Sequence, residues 1–190
     1  ILLAIILGTG YSSGKAMMDG FGIGKAGNND KFNPEYLTAY VNSPLEGKTI
    51  LCVGSSVTQG YAAKNISFVD YLAKLDCANT IKEVYPATTV ATQNENSYYP
   101  RLRTYTAEDS IDAVVIQLSS NDSTFASGLG EIGASKELAS FDDTTFAGGM
   151  ESMICYAKQT WDCPVLIYCN PQFRVRNFYN VEAYDAMVQV

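Results

Sequence analysis

Three stretches of the chain are largely apolar without polar alternation, and helical spacing lies between them. Lys48–Val53 ends in Ile50-Leu51-Cys52-Val53, a run that predicts a strand buried on both faces over 48–53, stopped by Gly54. Ile111–Leu118 and Cys163–Tyr168 read the same way and predict strands over 111–118 and 163–168, with a shorter one over 81–85. Phe68, Tyr71, Leu72 and Leu75 share one helical face, and Ser67 with Asp70 makes a capping box at its start. Phe146, Met150, Met153, Ile154 and Ala157 form one stripe of a longer helix over 144–161. Residues 34–41 predict a short helix capped by Asn33 with Pro34 in its first position. Residues 97–105 predict another with Pro100 in its first turn, and residues 181–190 a last one with Val181, Tyr184 and Val188 in phase. Buried strands alternating with amphipathic helices predict an α/β domain over residues 31–190: three layers, α/β/α, on a mainly parallel sheet.

In such sheets ligands bind beyond the carboxyl ends of the strands. The strand over 48–53 runs into Gly54-Ser55-Ser56-Val57-Thr58-Gln59-Gly60. A hydroxyl on a tight, glycine-flanked turn there suits a nucleophile, an anion-binding loop or a plain turn, and the segment alone leaves all three open. The strand over 111–118 runs into Ser119-Ser120-Asn121-Asp122. An asparagine amide at that place serves to donate to a developing oxyanion or to cap its own loop.

Taken together, these segments resemble the blocks of the SGNH hydrolases, the GDSL family of esterases and lipases. The first block stands as Gly54-Ser55-Ser56-Val57-Thr58-Gln59-Gly60 and the third as Ser119-Ser120-Asn121-Asp122. A second stands as Ala87-Thr88-Thr89, followed by Ser97-Tyr98-Tyr99-Pro100-Arg101-Leu102. Tyr156–Trp161 followed by Cys163-Pro164-Val165 is also similar to bacterial members with a Gly-Ser-Ser-Val-Thr first block, and the likeness spans residues 34–190. The resemblance implies a flavodoxin-like SGNH hydrolase fold and a serine esterase acting on an acetyl or short acyl group of a carbohydrate. It implies Ser56 as nucleophile and backbone oxyanion donor, Ala87 as a second backbone donor and Asn121 as a side-chain donor. Ser56 and Asn121 are then expected to flank one pocket. Ser55 stands where the family usually has aspartate, Ser119 and Ala87 where it usually has glycine. The family's base is the histidine of a C-terminal Asp-x-x-His, and this sequence contains no histidine. The expectation is a chain cut before that block, with catalysis depending on a full-length protein that supplies it. Alternatives are a non-catalytic carbohydrate or cell-envelope binding module on the same fold, and a flavin or phosphate binder of flavodoxin type.

Composition narrows the partners. A net charge of −7 with no basic cluster beyond Arg174 and Arg176 argues against nucleic acid. Cysteines at 52, 77, 155, 163 and 169 form no CxxC pair, and without histidine no ordinary zinc site or other metal or cofactor site is expected. Thirteen tyrosines against one tryptophan fit either a sugar-handling surface or ordinary half-buried packing. The resemblance to the SGNH hydrolases implies a small-molecule or carbohydrate ester as the partner. Residues 1–30 open on the apolar run Ile1–Leu7, too short to span a bilayer, and continue as a glycine-rich lead-in. They read equally as the remnant of a signal peptide or membrane anchor, which would place the protein outside the cell or on its surface, and as a packed element, with the cytoplasm as the alternative location.

Overall fold

The computed structural model describes residues 33–125, 127–170 and 180–190; the expected lead-in over 1–30 lies outside them. Four strands, β1 (Thr49–Gly54), β2 (Asn79–Val84), β3 (Ala113–Leu118) and β4 (Val165–Cys169), form one parallel sheet in the order β2-β1-β3-β4. The helices are α1 (Ser56–Gln59), α2 (Phe68–Leu75), α3 (Tyr98–Leu102), α4 (Ser120–Thr124), α5 (Phe146–Trp161) and α6 (Val181–Gln189).

The central strands are apolar throughout because both their faces are covered. Leu51, Val53, Val114 and Ile116 turn to one side, where they pack with Tyr98, Leu102, Phe146, Met150 and Met153 of α3 and α5. Ile50, Cys52, Ala113 and Val115 turn to the other and meet Val69, Phe68 and Leu72 of α2. This is the three-layer α/β/α architecture. Edge strand β4 is less covered: Leu166 and Ile167 are 53% and 45% exposed.

Local signals set most boundaries. The Ser67 hydroxyl accepts from Val69 N–H while the Asp70 carboxylate accepts from Ser67 N–H at 2.7 Å, closing the capping box of α2. Thr145 caps α5 by accepting from Gly148 N–H. Pro100 lies in the first turn of α3, where no intrahelical N–H is lost. The helix expected over 34–41 is a correction. Only Pro34–Tyr36 forms a single 3-10 turn, and Leu37 is already extended. Tyr36, Tyr40 and Val41 are exposed, so no buried face sustains a longer helix.

Candidate functional site

The first three strands deliver the three expected segments to one edge of the sheet. β1 pairs with both β2 and β3 in parallel, with Gly54 opposite Val84 and Val53 opposite Ile116. Ser56 therefore follows the carboxyl end of β1, Ala87 that of β2 and Asn121 that of β3.

Gly54 ends β1 because nothing larger fits: a Cβ there would overlap the Thr58 side chain. The chain then turns into α1. Ser56 opens that helix and is partly exposed. The N–H groups of Ser56, Val57 and Ala87 have no acceptor among the described residues. Ala87 has φ of +60°, the left-handed region that glycine occupies without cost and alanine does not. The loop after β2 thus adopts a glycine-like backbone although its residue is alanine.

Asn121, in α4, donates one side-chain N–H to the Thr88 carbonyl at 2.7 Å. The Ser119 hydroxyl donates to the same oxygen at 3.1 Å and accepts from Asn121 N–H. The second Asn121 side-chain N–H meets no acceptor among the described residues. The amide is thereby tied to the residue next to Ala87. No hydrogen bond joins Ser56 and Asn121 among the described residues; the paired strands β1 and β3 relate them.

Three further residues build the edge, and the sequence reading gave none of them a role. Asp122 is fully buried; its carboxylate accepts from Val90 N–H at 2.8 Å and Ala91 N–H at 2.9 Å. Burial pushes its carboxyl up to about 6, against those two donors, which favour the charged form. Helix α5 packs on the same loop so closely that a Cβ at Gly149 would lie 2.7 Å from the Val90 carbonyl oxygen. Arg101, 7% exposed, donates to the Gly54 carbonyl at 2.9 Å, to the Glu83 carbonyl at 2.8 Å and to the Glu83 carboxylate at 3.1 Å. It also donates to the Asn96 carbonyl at 2.8 Å and to the Thr88 hydroxyl at 3.4 Å. One guanidinium thus joins the ends of β1 and β2 to the loop bearing Ala87. Gln117, fully buried in β3, accepts from Ser55 N–H at 3.0 Å and from Thr58 N–H at 3.2 Å. A single polar residue inside the run Ala113–Leu118 was the visible signal for Gln117. Arg101 and Asp122 stand within the quoted motifs but carry no pattern that announces a task.

Below these sits Tyr98, fully buried with its hydroxyl near Ser55 and Ser119 but in hydrogen-bond geometry with neither. Burial raises its phenol well above the ordinary value, so it stays neutral. Among the described residues no group of three His, Cys, Asp or Glu side chains is placed to hold a metal ion, and no helix is long and apolar enough to cross a membrane.

The arrangement offers a serine hydroxyl, backbone N–H groups at Ser56, Val57 and Ala87 with no acceptor among the described residues, and a carboxamide held by Thr88. That set suits attack on a carbonyl whose oxygen gains charge. It holds no imidazole.

No family model and no curated protein sequence matches the chain. Solved structures do. A protein from Lactobacillus plantarum superposes with a TM-score of 0.59 at 17% identity, over 76% of this chain and 72% of that one. A protein described as a GDSL-like lipase, from Bacteroides ovatus, superposes with a TM-score of 0.51 at 15% identity, over 76% of this chain and 80% of that one. What this chain shares with both is the fold, a three-layer α/β/α domain on a parallel sheet.

Proposed function

We propose that the domain carries the nucleophile and oxyanion side of a serine ester hydrolase acting on an acetyl or short acyl ester of a carbohydrate or other small alcohol. The observation that supports this reading is that Ser56, Ala87 and Asn121 each follow the carboxyl end of one of three neighbouring parallel strands, with the Asn121 amide held by Thr88. The fold held in common with a GDSL-like lipase supports it.

In this reading Ser56 Oγ attacks the ester carbonyl carbon, and the carbonyl oxygen takes the displaced electron pair. The N–H groups of Ser56 and Ala87 and the remaining Asn121 N–H donate to that oxygen. The alcohol leaves with a proton, and water then releases the acid from the acyl-serine. The hydroxyl proton needs an acceptor, and no imidazole exists among these 190 residues.

Added imidazole can take that part. The test is nitrophenyl acetate hydrolysis by the chain with imidazole present, after subtracting the rate of Ser56→Ala under identical conditions. A Ser56-dependent excess supports the reading; no excess at any imidazole concentration overturns it. A second reading is a non-catalytic carbohydrate-binding module on the same fold. It is supported if calorimetry shows an acetylated sugar binding equally to wild type and Ser56→Ala while no Ser56-dependent turnover occurs.

A further inference from the structure

Helix α1 is four residues long, too short to hold its own shape. Its cap residue, Ser55, makes no side-chain cap hydrogen bond. The N–H that a cap side chain ordinarily satisfies, that of the third helical residue Thr58, is instead bound by Gln117 Oε1 from the neighbouring strand. The same oxygen accepts from Ser55 N–H at 3.0 Å and from the Thr58 hydroxyl at 2.5 Å.

These donors fix which way the amide faces. Backbone N–H groups only donate, so the atom they meet is Oε1, and Nε2 is left to donate to Ser55 Oγ at 3.2 Å. They also order the hydroxyls. The Thr58 proton goes to Gln117, so across the 2.7 Å between Thr58 Oγ1 and the Tyr168 hydroxyl it is tyrosine that donates. A carboxamide on β3 thus grips the residues on either side of Ser56 and Val57 and uses neither of their N–H groups.

We propose that Gln117 is a positioning residue for Ser56. It supplies from β3 the cap that Ser55 does not, which fixes the turn carrying the hydroxyl and keeps the Ser56 N–H open to the substrate oxygen. This rests on the reading of Ser56 as nucleophile, but its geometric half is tested independently of it.

The experiment compares wild type, Gln117→Met and Gln117→Glu, each as the 190-residue chain. Two quantities are read. The first is amide hydrogen exchange at Ser55 and Thr58, against Leu51 in β1 as internal reference. In wild type it is joined by the scalar coupling across the hydrogen bonds from those two amides to the Gln117 side-chain carbonyl. The second is the rate at which a fluorophosphonate probe labels Ser56 with imidazole present, read by peptide mass spectrometry. Methionine matches glutamine in length and lacks the acceptor. Exchange at Ser55 and Thr58 is expected to rise roughly tenfold and Ser56 labelling to fall roughly tenfold, while Leu51 stays protected. Gln117→Glu keeps an acceptor and is expected to restore both at a pH where its buried carboxyl is protonated. Unchanged exchange in folded Gln117→Met, or no coupling in wild type, overturns the proposal. So does altered exchange with unaltered labelling. If Gln117→Met does not fold, the wild-type coupling and the pH dependence of labelling in Gln117→Glu decide it. If wild type labels no faster than the Ser56→Ala background, the esterase reading falls, and exchange and coupling still decide whether Gln117 holds the turn.

Discussion

Arg101 Nη2 donates to the Gly54 carbonyl 2.9 Å away, across 47 positions of sequence. Its other donors meet Glu83, Asn96 and Thr88, so a single side chain determines how the first two loops of the site lie on each other. Arg101→Met would leave three backbone carbonyls and a part-buried carboxylate without this partner. The expected cost is about 3 kcal/mol in urea unfolding. Arg101→Lys should recover less than half of it, since an ammonium cannot span the same fork of acceptors. Full recovery by lysine would mean that charge, not the shape of the guanidinium, is what the site requires.

Asn121 has two tasks that separate in measurement. Loss of its bond to the Thr88 carbonyl in Asn121→Ala should lower folding stability by about 1 kcal/mol. If the other N–H meets the oxyanion, Ser56-dependent hydrolysis in imidazole should lose about 3 kcal/mol of transition-state stabilisation, seen in kcat with KM little changed. A stability loss with unchanged turnover per folded molecule would assign Asn121 to the loop alone.

Ala87 sits at φ of +60°, so Ala87→Gly removes backbone strain without removing the N–H. The melting transition should rise by an amount equivalent to about 1 kcal/mol, less what the unfolded chain gains in freedom. Ala87→Val should lower it. A fall with glycine would show that the loop takes its shape from packing that needs the methyl group.

Asp122 makes stability depend on pH in an unusual direction for a carboxylate. Its folded value, about 6, lies above the ordinary 3.8, so between those values the folded protein keeps a proton that the unfolded chain has released. The contribution is complete below 3.8 and is lost as pH rises through about 6. Across that window the stability of wild type minus that of Asp122→Asn should fall by up to about 3 kcal/mol, measured by urea unfolding at pH 4 to 7.5. A difference that rises with pH would mean that the two backbone donors outweigh burial.

The strands were legible because burial on both faces leaves an unbroken apolar run. β1, β3 and β4 begin one or two residues later than the pattern suggests, since a strand starts where a neighbour pairs and not where hydrophobicity does. Ser56 and Asn121 stood out through the small polar residues after two of those runs, and Ala87 only through the resemblance of its segment to a family block. The network that holds them did not. Arg101 reads locally as a helix residue, and only the fold reveals that its guanidinium crosses to β1 and β2. The failed helix over 34–41 has good local signals at Asn33 and Pro34, and what it lacks is a surface to pack on.

The cap that Gln117 supplies reaches across 62 residues to Ser55 and 59 to Thr58. A turn whose fastening lies that far along the chain cannot close early. During synthesis the segment carrying Ser56 leaves the ribosome well before β3 does, and loop closure over that distance waits on the pairing of β1 with β3. The Ser56 hydroxyl thus acquires its setting only once β3 has paired with β1, and a chain folded short of that pairing presents Ser56 on an unfastened loop.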